Sequence, residues 1–262
     1  MRRHIARSRL LGNTVVRSVV SAWSWLVLGV CVALWVPMVG AVRLVTPGDR
    51  GHYRAGLLFR KLAVVHERLN PLWTFHTAGR MIDDPRRPYV VVANHESFVD
   101  ILLISHLPWE MKWLAKVDFF RYPGVGWLMR MAGDIPLVRG ERDSIDAAMT
   151  ACRDRLSKNV SVMVFPEGTR TSDGDLQPFK SGAFRLAIEA GAPILPLAVH
   201  GTRPALRKGD WRFGLVDAEV RVLDPIETAG MTMADLDELR DRARNAIAAE
   251  LKVMKDSAGR DR

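Results

Sequence analysis

A run of 25 residues without a charged side chain, from Ser18 to Val42, restricts the fold of this chain more than any other feature. As a single helix it would measure about 37 Å, enough to cross the ~30 Å hydrocarbon core of a bilayer. Arginines precede it, as in a signal peptide. The run is longer than the apolar part of such peptides, and no convincing cleavage motif closes it. The sequence therefore predicts a retained membrane segment.

The basic residues around this run do not decide its orientation. They are balanced, with Arg2, Arg3, Arg7, Arg9 and Arg17 before it and Arg43, Arg50, Arg54, Arg60 and Lys61 after it. The positive-inside rule therefore gives no direction. Pro37 and Gly40 offer a break late in the run, and residues 55–66 have the pattern of an amphipathic helix. We favour a segment that enters one leaflet and returns over a single crossing, which keeps both flanks, and with them the rest of the chain, on the cytoplasmic face of the cell membrane.

The chemistry of the chain is indicated by a histidine and an aspartate five residues apart, His95 and Asp100. A histidine oriented by a carboxylate is a general base that works near neutral pH. The sequence has no G-x-S-x-G elbow, and no histidine lies near Cys31 or Cys152. The pair is therefore suited to deprotonating a substrate hydroxyl directly.

Five residues within one helix would place His95 and Asp100 about 140° apart around the axis. We therefore expect His95 on the turn that follows a strand ending near Ala93, folded back onto the first turn of the next helix. Ser97 and Asp100 also match a variant capping box, in which Asp100 would only begin a helix.

Basic residues follow three further strand-like runs. Arg170 follows the turn Pro166–Thr169, Arg139 closes residues 135–138, and Lys116 closes residues 111–115. Because ligands bind beyond the carboxyl ends of strands in an α/β sheet, we expect these cations and His95 to share one rim. A guanidinium there is suited to bind a phosphate or carboxylate.

These residues resemble the glycerolipid acyltransferases, and most closely the 1-acylglycerol-3-phosphate acyltransferases. Four blocks match in order over roughly residues 70 to 225: Asn94–Asp100, Gly133–Arg139, Phe165–Arg170 and Pro193–Val199. The stretch Lys116–Phe120 is similar to a further family segment, with Asp118 in place of the usual glutamate. Phe98 stands where many members have tryptophan, and the second block reads Pro-Leu-Val-Arg in place of a commoner Phe-x-x-Arg.

The resemblance implies a role for each block. His95 would take the proton of the acceptor hydroxyl while Asp100 holds its ring, and the fourth block would face the acyl donor. The implied substrate-binding residues are Lys116, Arg139, Glu167, Gly168, Thr169 and Arg170. The cations would bind the acceptor phosphate, and Glu167 with Gly168 would shape the glycerol site. The implied reaction gives phosphatidic acid and needs no metal and no cofactor beyond acyl-CoA or acyl carrier protein as co-substrate.

Composition is compatible with such an enzyme. A net charge of +9 suits anionic lipid head groups or nucleic acid, but no zinc-finger spacing or recognition-module signature supports nucleic acid. Two cysteines far apart provide no disulfide framework. His76, His106 and His200 lack metal-ligand spacing and are interpreted as structural or exposed.

Strand-like and helical patterns alternate through the rest of the chain. Strands are predicted near residues 89–93, 111–115, 134–138, 160–165, 194–199 and 218–223, and helices near 98–107, 123–132, 143–157, 180–190 and 233–254. Thr232 and Asp235 match a capping box before the last helix. The alternation predicts an α/β sandwich with a largely parallel central sheet flanked by helices. A boundary near residues 67–86 divides an anchoring segment, 1–66, from an acyltransferase domain, 67–262.

Two other functions remain open from sequence. One is acylation of a different lysolipid, a lysophospholipid or a lyso-aminolipid, by an enzyme of the same superfamily. The other is lipid binding at a membrane without chemistry, which would need only the apolar run and the basic rim. The pair His95 and Asp100 argues against the second.

Overall fold

The computed structural model describes residues 13–171, 174–206 and 209–260. In this part of the chain seven strands form one sheet: β1 Trp73–Gly79, β2 Val90–Ala93, β3 Met111–Lys116, β4 Ile135–Leu137, β5 Ser161–Val164, β6 Ile194–His200 and β7 Val216–Val222. Their order is β1-β7-β6-β2-β5-β3-β4. The five strands from β6 to β4 are parallel, whereas β7 pairs antiparallel with β6, and β1 runs parallel to β7. The predicted α/β sandwich with a largely parallel sheet is confirmed.

Helices cover both faces of this sheet. They are α1 Thr14–Val45, α2 Tyr53–Leu69, α3 Asp100–Ile104, α4 Val125–Ala132, α5 Arg142–Ser157, α6 Gly182–Ala190 and α7 Leu236–Arg260. Alternate residues of β2 face opposite sides: Val90 and Val92 pack with α5, α6 and α7, and Val91 packs on the side of α3. Burial on both faces explains why β2 reads as a continuous apolar run.

Most predicted elements are present. All six predicted strands and the helices after residue 120 occur within a few residues of the expected limits, and Thr232 and Asp235 form the predicted capping box. The helix predicted over 98–107 was wrong in its limits, since α3 begins at Asp100 and ends at Ile104. Residues 67–86 contain the edge strand β1, which the sequence analysis did not predict.

The predicted break in the apolar run was also wrong. Helix α1 continues through Pro37 for 32 residues, a length and composition sufficient to cross a membrane. Proline costs one helical hydrogen bond, but Cys31 and Val39 on either side are buried against neighbouring helices, which keeps the helix intact. The chain reverses after Val45 instead, where Gly51 and His52 adopt positive φ angles of 69° and 54° before α2.

Helix α1 lies along the domain over most of its length. Ser21 Oγ accepts a hydrogen bond from Phe213 N at 2.9 Å, Ser24 Oγ donates to Asn70 Oδ1 at 3.1 Å, and Trp35 Nε1 donates to the Leu58 carbonyl at 2.8 Å. The opposite side of the helix is exposed and apolar at intervals of three or four residues. We call this face the apolar stripe: Val15, Val19, Trp23, Leu26, Val30, Leu34 and Met38.

Four buried charges join α2 to the sheet. Arg60 forms an ion pair with Asp134 and lies 3.5 Å from Glu110, and Lys112 Nζ donates to Glu110 at 2.8 Å and to the Ala132 carbonyl at 2.6 Å. Burial raises the pKa of Glu110 and lowers that of Lys112, and each opposite charge works against that shift. Gly56 makes this approach possible, because a Cβ there would meet the Glu110 carboxylate. The cluster is neutral as a set.

Replacing Lys112 with methionine should destabilise the fold strongly. The change leaves two buried carboxylates with a single guanidinium, for which a loss of about 3 to 5 kcal/mol is expected. The measurement is the free energy of unfolding by urea in detergent solution. Lys158→Met is the control, since that exposed lysine pairs with Asp154 at the surface and should cost less than about 1 kcal/mol. Equal losses of unfolding free energy in the two variants would show that the buried cluster contributes no more to stability than a surface ion pair.

Candidate active site

The functional residues predicted from sequence lie along one edge of the sheet. His95 follows β2, Arg170 follows β5, Lys116 ends β3 and Arg139 follows β4, and these four strands are parallel. The cations belong to the three strands that follow β2 in the sheet, β5, β3 and β4, which are spaced ~4.8 Å apart. The rim therefore has a base near its centre and a row of cations to one side.

His95 and Asp100 form a hydrogen-bonded pair. His95 lies on the turn between β2 and α3, and its Nδ1 is 2.8 Å from Asp100 Oδ2 at the start of α3. This is the folded-back geometry expected from the spacing. Asp100 is fully buried, whereas the His95 side chain is 13 % exposed. With Nδ1 bonded to the carboxylate, Nε2 is the ring nitrogen left to act on a substrate.

The Asp100 carboxylate has three further donors. Its Oδ2 accepts from the backbone amides of Glu96 at 2.7 Å and Ser97 at 2.9 Å, and its Oδ1 accepts from the hydroxyl of Thr202. The bond from Ser97 is half of the capping box considered above, so Asp100 both begins the helix and orients His95. These donors fix the position of the carboxylate.

The loop after β5 holds the backbone of His95. Glu167 Oε1 accepts from His95 N at 2.7 Å, and the His95 carbonyl accepts from Thr171 N at 2.9 Å. The other Glu167 oxygen accepts from Gln177 N at 3.0 Å. Burial raises the pKa of Glu167, and these amide bonds oppose the rise. The Phe165 ring stacks on the imidazole with centroids 3.9 Å apart, which restricts its rotation.

The cations differ in their surroundings. Lys116 forms an ion pair with Asp118, whereas Arg139 and Arg170 are exposed. In the ranges that the structure covers, neither arginine has a hydrogen bond or ion pair. Thr169 is exposed beside Arg170, and Gly168 has a φ of 73° against the side chain of Lys180, a conformation that favours glycine. The two arginines are thus available for an anionic ligand.

Sequence reasoning missed Thr202 and the role of Asn94. Asn94 joins the ends of β2 and β6, with its side chain bonded to both the amide and the carbonyl of Val199 at 2.8 Å. Thr202 comes from the loop after β6. The only local signal for Thr202 was its position just after a predicted strand. Its partner Asp100 lies 102 positions away in the sequence, so the contact itself could not be predicted from neighbouring residues.

The site can abstract a proton, and among the residues that the structure describes neither cysteine lies beside His95. Cys152 is buried in the opposite face of the sheet, and burial raises its pKa to about 12. Cys31 is buried in α1. The arrangement therefore suits direct attack by a substrate hydroxyl on an activated carbonyl, with no covalent intermediate on the protein.

Comparison with known proteins agrees with this chemistry. The Acyltransferase family model matches residues 74–200, a range that runs from the second residue of β1 to the end of β6 and contains the His95–Asp100 pair. A chloroplastic 1-acyl-sn-glycerol-3-phosphate acyltransferase from Brassica napus is 34 % identical over 236 residues, covering 86 % of this chain and 67 % of the relative. The alpha form of the same enzyme from Homo sapiens is 31 % identical over 215 residues, covering 81 % of this chain and 76 % of the relative.

A solved structure supports the fold. The crystal structure of a 1-acyl-sn-glycerophosphate acyltransferase from Thermotoga maritima superposes with a TM-score of 0.76 at 23 % identity, covering 92 % of this chain and 97 % of that one. The fold, the site and these relatives define an acyltransferase. More narrowly, the chain belongs to the glycerolipid acyltransferase family, as its blocks indicated.

The Thr202 hydroxyl should matter for catalysis. In Thr202→Val the Asp100 carboxylate loses a buried donor, a bond to a charged group worth about 1.5 to 3 kcal/mol. We expect kcat to fall by about 10- to 100-fold, with little change in KM because the hydroxyl is bonded to Asp100 on the side away from the His95 ring. Steady-state kinetics measure both constants. Thr202→Ser keeps the hydroxyl and should retain most of kcat, and a similar loss in both variants would contradict this role.

Proposed function

We propose that the protein transfers a fatty acyl group from a thioester to the sn-2 hydroxyl of 1-acylglycerol-3-phosphate and so forms phosphatidic acid. The observation that carries the proposal is the His95–Asp100 pair on a rim with two exposed arginines, Arg139 and Arg170. Relatives that span most of the chain carry the name of this activity, which supports the choice of acceptor.

In this reaction His95 Nε2 takes the hydroxyl proton as the acceptor oxygen attacks the thioester carbonyl carbon. Asp100 stabilises the imidazolium, which is already aligned by the hydrogen bond to Nδ1. The tetrahedral intermediate then collapses as the carbon–sulfur bond breaks, and the imidazolium returns the proton to the departing thiolate. Backbone amides near Gly168 are the donors that we assign to the oxyanion.

Arg170, Arg139 and Lys116 bind the acceptor phosphate in this proposal. Arg170 follows the strand next to that of His95, and the amide of the adjacent Thr171 bonds to the His95 carbonyl, as expected if the phosphate is held a few bonds from the reacting hydroxyl. The role of Glu167 follows from its contacts: with both oxygens bonded to amides, it acts by positioning His95 and shaping the glycerol site beside Gly168 and Thr169. Acyl-CoA or acyl carrier protein supplies the acyl group, and no resident cofactor or metal takes part.

The proposal is tested first on the base. His95→Ala should lower kcat by about 10²-fold or more, the contribution of a general base. The control is His76→Ala, since His76 is half-exposed on β1 and pairs with Asp217 away from the rim. The assay uses 1-acylglycerol-3-phosphate with either donor, and folding of each variant is checked by thermal unfolding. A folded His95→Ala protein with most of its activity would remove His95 from the mechanism.

The acceptor site is tested with Arg170→Ala. Loss of a charge-assisted phosphate contact should lower kcat/KM for the acceptor by about 10- to 100-fold and leave the donor KM nearly unchanged. Arg185→Ala, an exposed arginine on α6, is the matched control. If activity on 1-acylglycerol-3-phosphate stays intact, an acceptor without a terminal phosphate is favoured, such as a lysophospholipid or a lyso-aminolipid.

We further propose that the protein is monotopic, on the cytoplasmic face of the membrane. Both halves of α1 contact the domain, the first through the bond of Ser21 to Phe213 and the second where Gly40 lies against Met131 of α4, so no bilayer fits between the helix and the domain. The apolar stripe faces away from the domain and suits the boundary between head groups and acyl chains. Trp23, Trp25 and Trp211 are about half-exposed beside the rim end of α1, as interfacial tryptophans are.

Cysteine labelling in intact expression cells tests this placement. Thr14→Cys and Gly48→Cys lie before and after the apolar part of α1, and both should react with an impermeant maleimide only after permeabilisation. The native cysteines are buried and serve as the unreactive background. Labelling of Gly48→Cys alone from outside would establish a single crossing.

A further inference from the structure

A basic cavity lies at the edge of the sheet opposite to the candidate active site. It has a volume of about 600 Å³ and is lined by the turn after α1, the start of α2 and Arg86. Arg86 donates to the carbonyl of Lys158 at 3.2 Å, and Gly51 lies against Val160, just before β5 begins. The amino ends of the parallel strands are on this side, so the cavity is separated from His95 by the height of the sheet, about 20 Å.

The cavity carries a net positive charge. Arg50, Arg54 and Arg86 line it together with a single carboxylate, Asp49. Asp49 Oδ2 accepts from the backbone amide of Arg54 at 2.8 Å, so this carboxylate is engaged by the backbone at the start of α2. In the covered ranges no hydrogen bond or ion pair holds the side chains of Arg50 and Arg54.

Arg86 is held in place at the cavity wall. Its guanidinium lies over the Tyr53 ring at 4.3 Å from the centroid. That contact, with the bond to the Lys158 carbonyl, fixes the group without neutralising its charge. One fixed guanidinium and two adaptable ones are suited to a tetrahedral dianion or monoanion, which accepts several N–H donors from different directions.

The cavity opens beside the most exposed apolar residues of α1. Leu44 and Val45 are 83 % and 76 % exposed, and Val45 forms part of the cavity wall. A ligand that fits both surfaces has a phosphate at one end and a hydrocarbon chain at the other. Free phosphate would leave these apolar side chains in water.

We propose that this cavity binds the phosphate group of an anionic phospholipid whose acyl chains lie along the apolar stripe. The site goes beyond the proposed reaction, because it is remote from His95 and holds a lipid that is not consumed. It rests on the interfacial placement of α1. Its consequence is that the enzyme prefers anionic membranes through a defined site at one end of the helix.

The experiment measures binding of the full chain to vesicles by flotation. Wild type and Arg50→Gln/Arg54→Gln/Arg86→Gln are compared on phosphatidylcholine alone and on phosphatidylcholine with one fifth phosphatidic acid. Each arginine near an anionic surface contributes roughly a fivefold factor, so the triple variant should bind the anionic vesicles about a hundredfold more weakly. Binding to pure phosphatidylcholine should hardly change.

The matched control removes three charges from the opposite face of the sheet: Arg185→Gln/Arg242→Gln/Lys252→Gln, on α6 and α7. These side chains should be screened from a membrane at the apolar stripe, and the control should bind like wild type. The double variant Arg50→Gln/Arg54→Gln keeps the Arg86 contacts and should bind the anionic vesicles about 25-fold more weakly than wild type. It provides the test if the triple variant does not fold. Equal losses of vesicle binding in the cavity variants and the control would show that the preference for anionic membranes comes from overall charge, which would overturn the proposed site.

Two further measurements separate the possible sources of the phosphate. Inorganic phosphate at 10 mM should not displace wild type from the anionic vesicles, because it lacks the acyl chains; displacement would assign the cavity to free phosphate and overturn the lipid assignment. Activity of the triple variant in detergent micelles with 1-acylglycerol-3-phosphate should equal that of wild type. Loss of that activity in folded protein would show that the cavity belongs to the catalytic site.

Discussion

The ion pairs between α2 and the sheet determine how the two halves of the molecule are joined. A charge placed in the interior is costly unless an opposite charge and good hydrogen-bond donors or acceptors surround it. Arg60, Glu110, Lys112 and Asp134 meet that requirement only when α2 lies against β3 and β4 in one register. Apolar contacts alone would tolerate sliding. The charged cluster therefore fixes the α1–α2 hairpin relative to the rim that carries His95.

The site depends on a second constraint, the parallel direction of five strands. Because their carboxyl ends meet at one edge, turns that are far apart in sequence can each contribute one group. β2 supplies His95, β5 supplies Glu167 and Arg170, and β6 supplies the loop of Thr202. The turn after β2 is short, and its backbone amides are left to bond the carboxylates of Glu167 and Asp100. The base is thereby positioned by backbone geometry as much as by side chains.

Features that depend on residues close together in the sequence could be predicted, whereas features that depend on distant residues could not. Buried parallel strands form uniform apolar runs, so β2 and β5 were predictable, and the helix-start pattern at Asp100 gave the local fold around His95. β1 was missed because its outward residues are polar and its strand character depends on pairing with β7. Lys112 was read as part of an ordinary strand, although besides the nearby Glu110 it bonds to carbonyls of two distant segments, at His52 and Ala132. The break predicted at Pro37 does not occur, because the packing of α1 against neighbouring helices outweighs the loss of one helical hydrogen bond.

The apolar stripe has a kinetic consequence if it lies in the membrane as proposed. Trp23 and Trp211 would then place the rim at the lipid surface, and a lysolipid would reach His95 by diffusing within the leaflet. The rate would follow the mole fraction of acceptor among the surrounding lipids rather than its amount per volume of water. Adding inert lipid at constant total acceptor would slow the reaction by surface dilution, and turnover would become a measure of membrane composition.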